Sequence, residues 1–225
     1  MRVVIAEDNA LLRQGLHQLL DLDDDVDVVA SCADPDELLR AVDAHRPDAV
    51  LTDIRMPPAH DDEGIRAALA IRRRHTSIGV VVLSQYASPA YALALLGAES
   101  AGVGYLVKDR VSDVNQVTSA LRTVAAGGSV IDSDVVRALV EARSVAVESA
   151  LSELSDRELE VLRAMAEGHS NAAIAARVHA AERTVEKYIS SIFSKLMLSD
   201  EPDVNRRVRA VLVYLSATSS GPTGT

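Results

Sequence analysis

Up to about residue 126 the sequence alternates between two hydrophobic periodicities, and that alternation leaves the chain few folds to choose from. Short β-branched runs at 2–6, 26–31, 49–52, 78–83 and 104–107 are apolar on both faces, as strands covered by helices on each side must be. Between them, residues 11–20, 35–44, 62–74, 89–97 and 112–126 repeat apolar side chains at spacings of three and four, the signature of amphipathic helices. Five strand-helix pairs in succession predict an α/β fold with a doubly wound, five-stranded parallel sheet.

The pattern then changes class. Gly127-Gly128 ends the last of these helices, and 133–148 reads as a further amphipathic helix with no strand after it, a linker. From Leu151 every periodic segment is helical, which places a boundary within 143–151. The expected organisation is a first domain at 1–127, a linker with a helix at 128–150, a small all-α domain at 151–217 and a disordered tail at 218–225. The polar end "SATSSGPTGT" has too little apolar surface to fold. In "LSDREL", Ser155 and Glu158 form a capping box and Leu154 and Leu159 a hydrophobic staple. Gly168 closes that helix, Ser170 caps a short one at 171–178, and a tight turn leads to a longer one at 182–196. That succession is a helix-turn-helix. A last helix at 203–215 carries Val204, Val208, Val211, Leu212 and Leu215 on one stripe, a candidate dimerisation surface if not merely the completion of a four-helix core.

Charge and cysteine content narrow the function classes. Residues 1–150 carry 14 Lys and Arg against 23 Asp and Glu, and residues 151–225 carry 9 against 10. The acidity concentrated in the first part argues against a protein that coats nucleic acid indiscriminately, while the near-neutral second part can still present a basic face. The single Cys32 excludes an internal disulfide framework and a cysteine-based zinc site. Acids at positions 7 and 8 interrupt any signal-peptide pattern, and no uncharged apolar run reaches about 18 residues, so a cytoplasmic location is expected.

In an open parallel sheet, functional groups collect beyond the carboxyl ends of the strands. Glu7 and Asp8 end the first strand, and Asp53, Ser84 and Lys108 follow the third, fourth and fifth, so all five should meet on one rim. Three carboxylates at close quarters repel unless a cation intervenes, and oxygen-only ligands select a hard ion, Mg²⁺ above all. Carboxylates, metal, hydroxyl and ammonium together can hold a phosphoryl group on an aspartate. By contrast, the acid run at 21–27 lacks the Gly and terminal Glu of a calcium loop and reads as a solvated turn. His60, in "MPPAHDDEG", has no partner His and reads as a loop residue.

The motifs "AEDN", "LTDIRMP", "VLSQY" and "GYLVKD", in that order and spacing, resemble the flavodoxin-like receiver domain of bacterial response regulators. The resemblance implies that Asp53 is the phosphoacceptor for a sensor histidine kinase. It further implies that Asp8 and Asp53 ligate Mg²⁺ directly, Glu7 through water, and Arg55 through its carbonyl. Ser84 would hydrogen-bond the phosphoryl oxygens, Lys108 would neutralise one, and Tyr105 would turn inward as Ser84 moves. Arg55 and Tyr86 would tune hydrolysis of the acyl phosphate. Asp109 stands where many receivers have Pro after a cis peptide. A cis bond before a non-proline residue costs about 3–4 kcal/mol, so that geometry does not carry over.

The segment from "LSDREL" to "SIFSKL" resembles the LuxR-type DNA-binding domain, and the two resemblances together define the NarL/FixJ class. In the third helix of this domain Val185, Ile189, Ile192 and Leu196 make a buried stripe, leaving Glu186, Lys187, Ser190 and Ser194 outward to enter a major groove. Lys187 would contact guanine or phosphate and Glu186 a cytosine amino group, with Ser170, Asn171, Arg183, Thr184 and Lys195 at phosphates. Glu186, Tyr188 and Ala181 depart from the family's usual Lys, His and Ser, so a single copy binds weakly and a homodimer on promoter DNA is expected. Two rival functions remain at this point: a transcription factor controlled by a ligand or partner without phosphorylation, and an aspartate-nucleophile phosphatase. Arg55 occupies the position of such a phosphatase's general acid, which argues against turnover of a substrate.

Overall fold

The computed structural model describes residues 1–97, 101–111, 113–198 and 205–219, which form two compact units, Met1–Leu139 and Val140–Thr225. In the first, β1 (Arg2–Ala6), β2 (Asp27–Cys32), β3 (Ala49–Asp53), β4 (Gly79–Ser84), β5 (Val103–Val107) and β6 (Val130–Ile131) form one sheet in the order β2-β1-β3-β4-β5-β6, every pairing parallel. The sheet thus has six strands where the periodicity indicates five. Val130 and Ile131 pair with Gly104 and Tyr105, and two residues are too few to leave a periodic signal.

Helices α1 (Ala10–Leu20), α2 (Pro35–His45), α3 (Glu63–Arg74), α4 (Pro89–Leu96) and α5 (Val114–Ala125) connect the strands. Their starts follow local chemistry: Asn9, Asp34, Ser88 and Asp113 accept from backbone N–H groups of the first turns of α1, α2, α4 and α5. One face of the sheet buries Val4, Val50, Val80 and Val82 with Leu38 and Ile71; the other buries Val3, Ile5, Leu51 and Val81 with Leu20 and Leu121. Both faces are therefore covered, as the unbroken apolar strands require. Cys32 is buried, and burial above all pushes its thiol up to about 11, so it packs as a small hydrophobe. The acidic turn at 21–27 is pinned to α5, with Arg122 donating to both oxygens of Asp23 at 2.8 Å.

Helix α6 (Ser133–Ser152) is longer than its periodicity suggests. Val135 and Leu139 pack in the first unit's core and Ala150 and Leu151 in the second's. The second unit continues with α7 (Asp156–Ala166), α8 (Asn171–Arg177), α9 (Glu182–Lys195) and α10 (Arg206–Ser219) around Val161, Leu162, Ile174, Val185, Ile192 and Ala210. Both halves of the Ser155–Glu158 capping box are formed. Residues 216–219 are helical although their composition suggests a disordered end, because α10 carries on through them. Asp203, Val204 and residues 220–225 lie outside the described residues. Among the described residues no helix is long and apolar enough to cross a membrane.

Candidate functional site

Because β1, β3, β4 and β5 are neighbours in parallel, their carboxyl ends deliver Glu7, Asp8, Asp53, Ser84 and Lys108 to one rim. Glu7, Asp8 and Asp53 each offer an oxygen within 4.8 Å of the other two. Lys108 Nζ lies 2.9 Å from Glu7 Oε2 and 3.0 Å from Asp53 Oδ2. Burial pushes the Glu7 carboxyl above the usual range and the Asp53 charge adds to this, while the hydrogen bond from Lys108 opposes it. Burial also works against the Lys108 ammonium, but the Glu7 hydrogen bond and the Asp53 charge outweigh it and hold the pKa above its ordinary value. Three carboxylates facing one ammonium leave the pocket short of positive charge. An all-oxygen, part-enclosed donor set with that deficit fits a hard divalent cation such as Mg²⁺.

The nucleophile candidate is firmly held. The Ile54 N–H donates to Asp53 Oδ1 at 2.8 Å, which leaves Oδ2 toward Lys108. Behind it, the Gly64 N–H donates to the Ile54 carbonyl at 2.8 Å, and a Cβ on Gly64 would stand 1.8 Å from the Asp53 carbonyl oxygen, so only glycine lets α3 start this close to β3. Arg13 donates to the carbonyls of Glu7 at 2.6 Å and Asp8 at 3.2 Å, fixing the turn that carries both acids.

Ser84 Oγ donates to the Tyr86 carbonyl at 2.7 Å, and the Tyr105 hydroxyl donates to the same oxygen at 3.1 Å. Tyr105 is fully buried, in the same core cluster as Val80 and Val82. The Arg55 and Tyr86 side chains are exposed and, with Ser84 and Tyr91, help line a cavity of about 240 Å³ beside the rim. Lys108 opens a 3-10 turn, Lys108–Arg110, and its peptide bond to Asp109 is trans; the cis peptide among the described residues is Pro57–Pro58. His60, which sequence leaves as a loop residue, sits with Nδ1 3.4 Å from Asp8 Oδ2. No pattern in the sequence links the two, since they come from different loops.

In the second unit, Val185, Ile189, Ile192 and Leu196 are buried, and Arg183, Glu186, Lys187 and Ser190 are exposed on α9. Thr184 is half-buried, and the Ser170 hydroxyl caps α8 by accepting from Ala173 N–H at 3.3 Å. Among the described residues Arg183 and Lys187 have no ionic partner. Two expected phosphate contacts are engaged elsewhere. Lys195 Nζ donates to Glu158 Oε2 at 2.7 Å and to the Glu153 carbonyl at 3.0 Å, so its charge is already neutralised. The Asn171 side-chain oxygen accepts from Arg207 at 2.9 Å, and the same guanidinium donates to the His169 carbonyl at 2.6 Å. Glu158 is the hub that sequence shows only as a cap: it also accepts from Ser191 Oγ at 2.6 Å and Ser155 N–H at 2.7 Å. Burial would raise its pKa, but the hydrogen bonds from Lys195, Ser191 and Ser155 hold it down at about 2. The α10 stripe divides: Val208, Leu212 and Leu215 are exposed, whereas Val211 packs partly against the core around Ala210.

Comparison with known proteins agrees with both halves. Residues 3–122 match the response regulator receiver domain, and residues 152–208 match the bacterial regulatory proteins of the luxR family. The chain is 32% identical over 227 residues to the DNA-binding transcriptional activator DevR/DosR of Mycobacterium tuberculosis, covering 100% of this chain and 98% of that one. It is 30% identical over 211 residues to the oxygen regulatory protein NreC of Staphylococcus haemolyticus, covering 91% and 94%. Among solved structures it is similar to the RcsB response regulator of Salmonella typhimurium, with a TM-score of 0.56 at 26% identity over 96% of this chain and 98% of that one. Ordered acids at a receiver's strand ends and a capped helix-turn-helix, matched over nearly the whole length, leave one assignment: the chain belongs to the NarL/FixJ-type response regulators, which join a receiver domain to a LuxR-type domain.

Proposed function

We propose that this protein is a DNA-binding response regulator of a two-component system, acting in the cytoplasm, in which a sensor histidine kinase phosphorylates Asp53 and the phosphorylated form controls transcription as a homodimer. The observation that carries this is the placement of Lys108 Nζ between Glu7 and Asp53 beside Asp8. An Asp53 carboxylate oxygen attacks the phosphorus of a phosphohistidine; the new O–P bond forms as the P–N bond breaks, and the imidazole leaves with a proton from solvent. Glu7, Asp8, Asp53 and the Arg55 carbonyl would hold Mg²⁺, which supplies charge neutralisation for the phosphoryl oxygens. Lys108 neutralises one further oxygen, and Ser84 donates to another by leaving the Tyr86 carbonyl. The phosphoryl group adds about −1.5 to −2 charges, enough to reorganise loops whose donors it draws.

On the DNA side, Glu186, Lys187 and Ser190 face the bases, and Arg183, Thr184 and Ser170 face phosphates. Lys195 and Asn171 serve instead to hold α9 and α8 in place. Val208, Leu212 and Leu215 are the apolar stripe through which two copies pair, leaving the remainder of α10 to its own core. A complex of RcsB with DNA has been solved, and a related structure contains two RcsB dimers on two DNAs. Wild-type protein should take up label from acetyl phosphate with Mg²⁺ and then bind its promoter more tightly, whereas Asp53→Asn should do neither. Labelling of Asp53→Asn, or promoter binding indifferent to phosphorylation, would overturn the proposal.

A further inference from the structure

His60 has no part in the chemistry above, yet the loop between β3 and α3 holds it in place. The His60 N–H donates to the Met56 carbonyl at 3.0 Å. The Glu63 carboxylate accepts from the N–H groups of Ala59 at 3.2 Å and Asp61 at 2.7 Å, and the Tyr91 hydroxyl donates to Asp61 Oδ1 at 2.8 Å. The loop is therefore tied on both sides of His60. His60 adopts a left-handed φ of 56°, and its Nδ1 stands 3.4 Å from Asp8 Oδ2.

We infer that His60 is a positioning residue for the cation site: the imidazole, with its proton on Nδ1 and already 3.4 Å from Asp8 Oδ2, closes on that oxygen when the ion binds and leaves the other oxygen to the ion. The inference rests on the proposed role of Asp8 as a ligand. The group of mutually close ligand atoms comprises Glu7, Asp8 and Asp53 without His60, so the imidazole acts through Asp8 and not on the ion itself. At 3.4 Å the pair stands at ion-pair distance and is not a formed hydrogen bond. Metal-binding carboxylates are commonly held by outer hydrogen bonds of the kind this pair makes on closing, and loss of such a partner weakens binding by roughly 10- to 100-fold. The His60 side chain is 54% exposed, which places the expected effect at the low end.

Isothermal titration of the full chain with Mg²⁺ tests this. Glycine at 60 keeps the left-handed backbone and deletes the donor, while asparagine tolerates that backbone and restores an N–H donor. His60→Gly should bind Mg²⁺ roughly tenfold more weakly than wild type and His60→Asn should recover most of the loss. The wild-type His60 ring resonance, identified by its absence from His60→Asn, should move on addition of Mg²⁺ and stay still in Asp8→Asn. Unchanged affinity in His60→Gly while Asp8→Asn is defective overturns the role of His60 alone. A loss in His60→Gly that asparagine does not recover also overturns it, by assigning the effect to the loop. Normal binding by Asp8→Asn removes the ligand reading and this inference together.

Discussion

Glu7 in the receiver and Glu158 in the C-terminal unit are both almost wholly buried, 1% and 5% exposed, and each is paired with a lysine. They nevertheless titrate in opposite directions. Glu158 has Lys195, Ser191 and Ser155 as donors, and their hydrogen bonds bring its pKa down to about 2 against the effect of burial. Glu7 shares Lys108 with Asp53, receives one long 3.3 Å bond from Asn9 N–H, and its pKa rises. Burial is common to both, so burial does not separate a strut from a site. The ratio of donors to negative charge does. A buried acid saturated with donors locks helices together, whereas one crowded by its own kind leaves negative charge uncompensated.

The largest expected difference follows from removing each charge. Glu158→Gln should cost about 2–3 kcal/mol in unfolding free energy, because Lys195 loses its counter-charge and a hub of hydrogen bonds is weakened. Glu7→Gln in the metal-free protein should leave stability unchanged or raise it, since it relieves repulsion while Lys108 keeps Asp53. Urea denaturation followed by circular dichroism measures both, and equal losses would break the contrast. Acid should then sharpen it. The folded pKa of Glu158 lies below the ordinary 4.5, so its contribution is complete above pH 4.5 and drains away as pH falls toward about 2. That span corresponds to about 3 kcal/mol. Glu7 has the opposite sign: the folded state keeps its proton longer than the unfolded one, so ionisation takes stability away as pH rises past 4.5. Urea midpoints of wild type and Glu158→Gln should therefore converge on acidification.

The smallest effect concerns the same helix that Glu158 anchors. Ala181 occupies the N-cap of α9 with extended backbone and no side-chain acceptor. Ala181→Ser should add about 0.5–1 kcal/mol by supplying one. Its signature is a melting temperature a few degrees higher for the C-terminal unit. If Ala181→Ser gains nothing while Glu158→Gln still loses, the hub alone sets the helix's position.

The rim of the receiver was legible because strand ends in a parallel sheet converge by topology, so Glu7, Asp8, Asp53, Ser84 and Lys108 needed only their strands to be recognised. The buried stripe of α9 was legible for a similar reason, since helical spacing alone decides which side chains share a face. Partnerships across elements were not. A helical wheel turns Lys195 outward without showing that Glu158 waits on α7, and Asn171 reads as a helix start until Arg207 arrives from α10. His60 was opaque for a different reason: the loop's path back to β1 depends on backbone bonds to Met56 and Glu63 that no periodicity encodes. β6 escaped because two residues make no period.

The Tyr86 carbonyl has two lone pairs, and in this structure two hydroxyls, those of Ser84 and Tyr105, occupy them. Any ligand that recruits the serine opens a vacancy on that oxygen, two residues along the chain from where the ligand binds. News of the event thus travels as a missing hydrogen bond, carried outward by the backbone of an exposed tyrosine without any charge having to move.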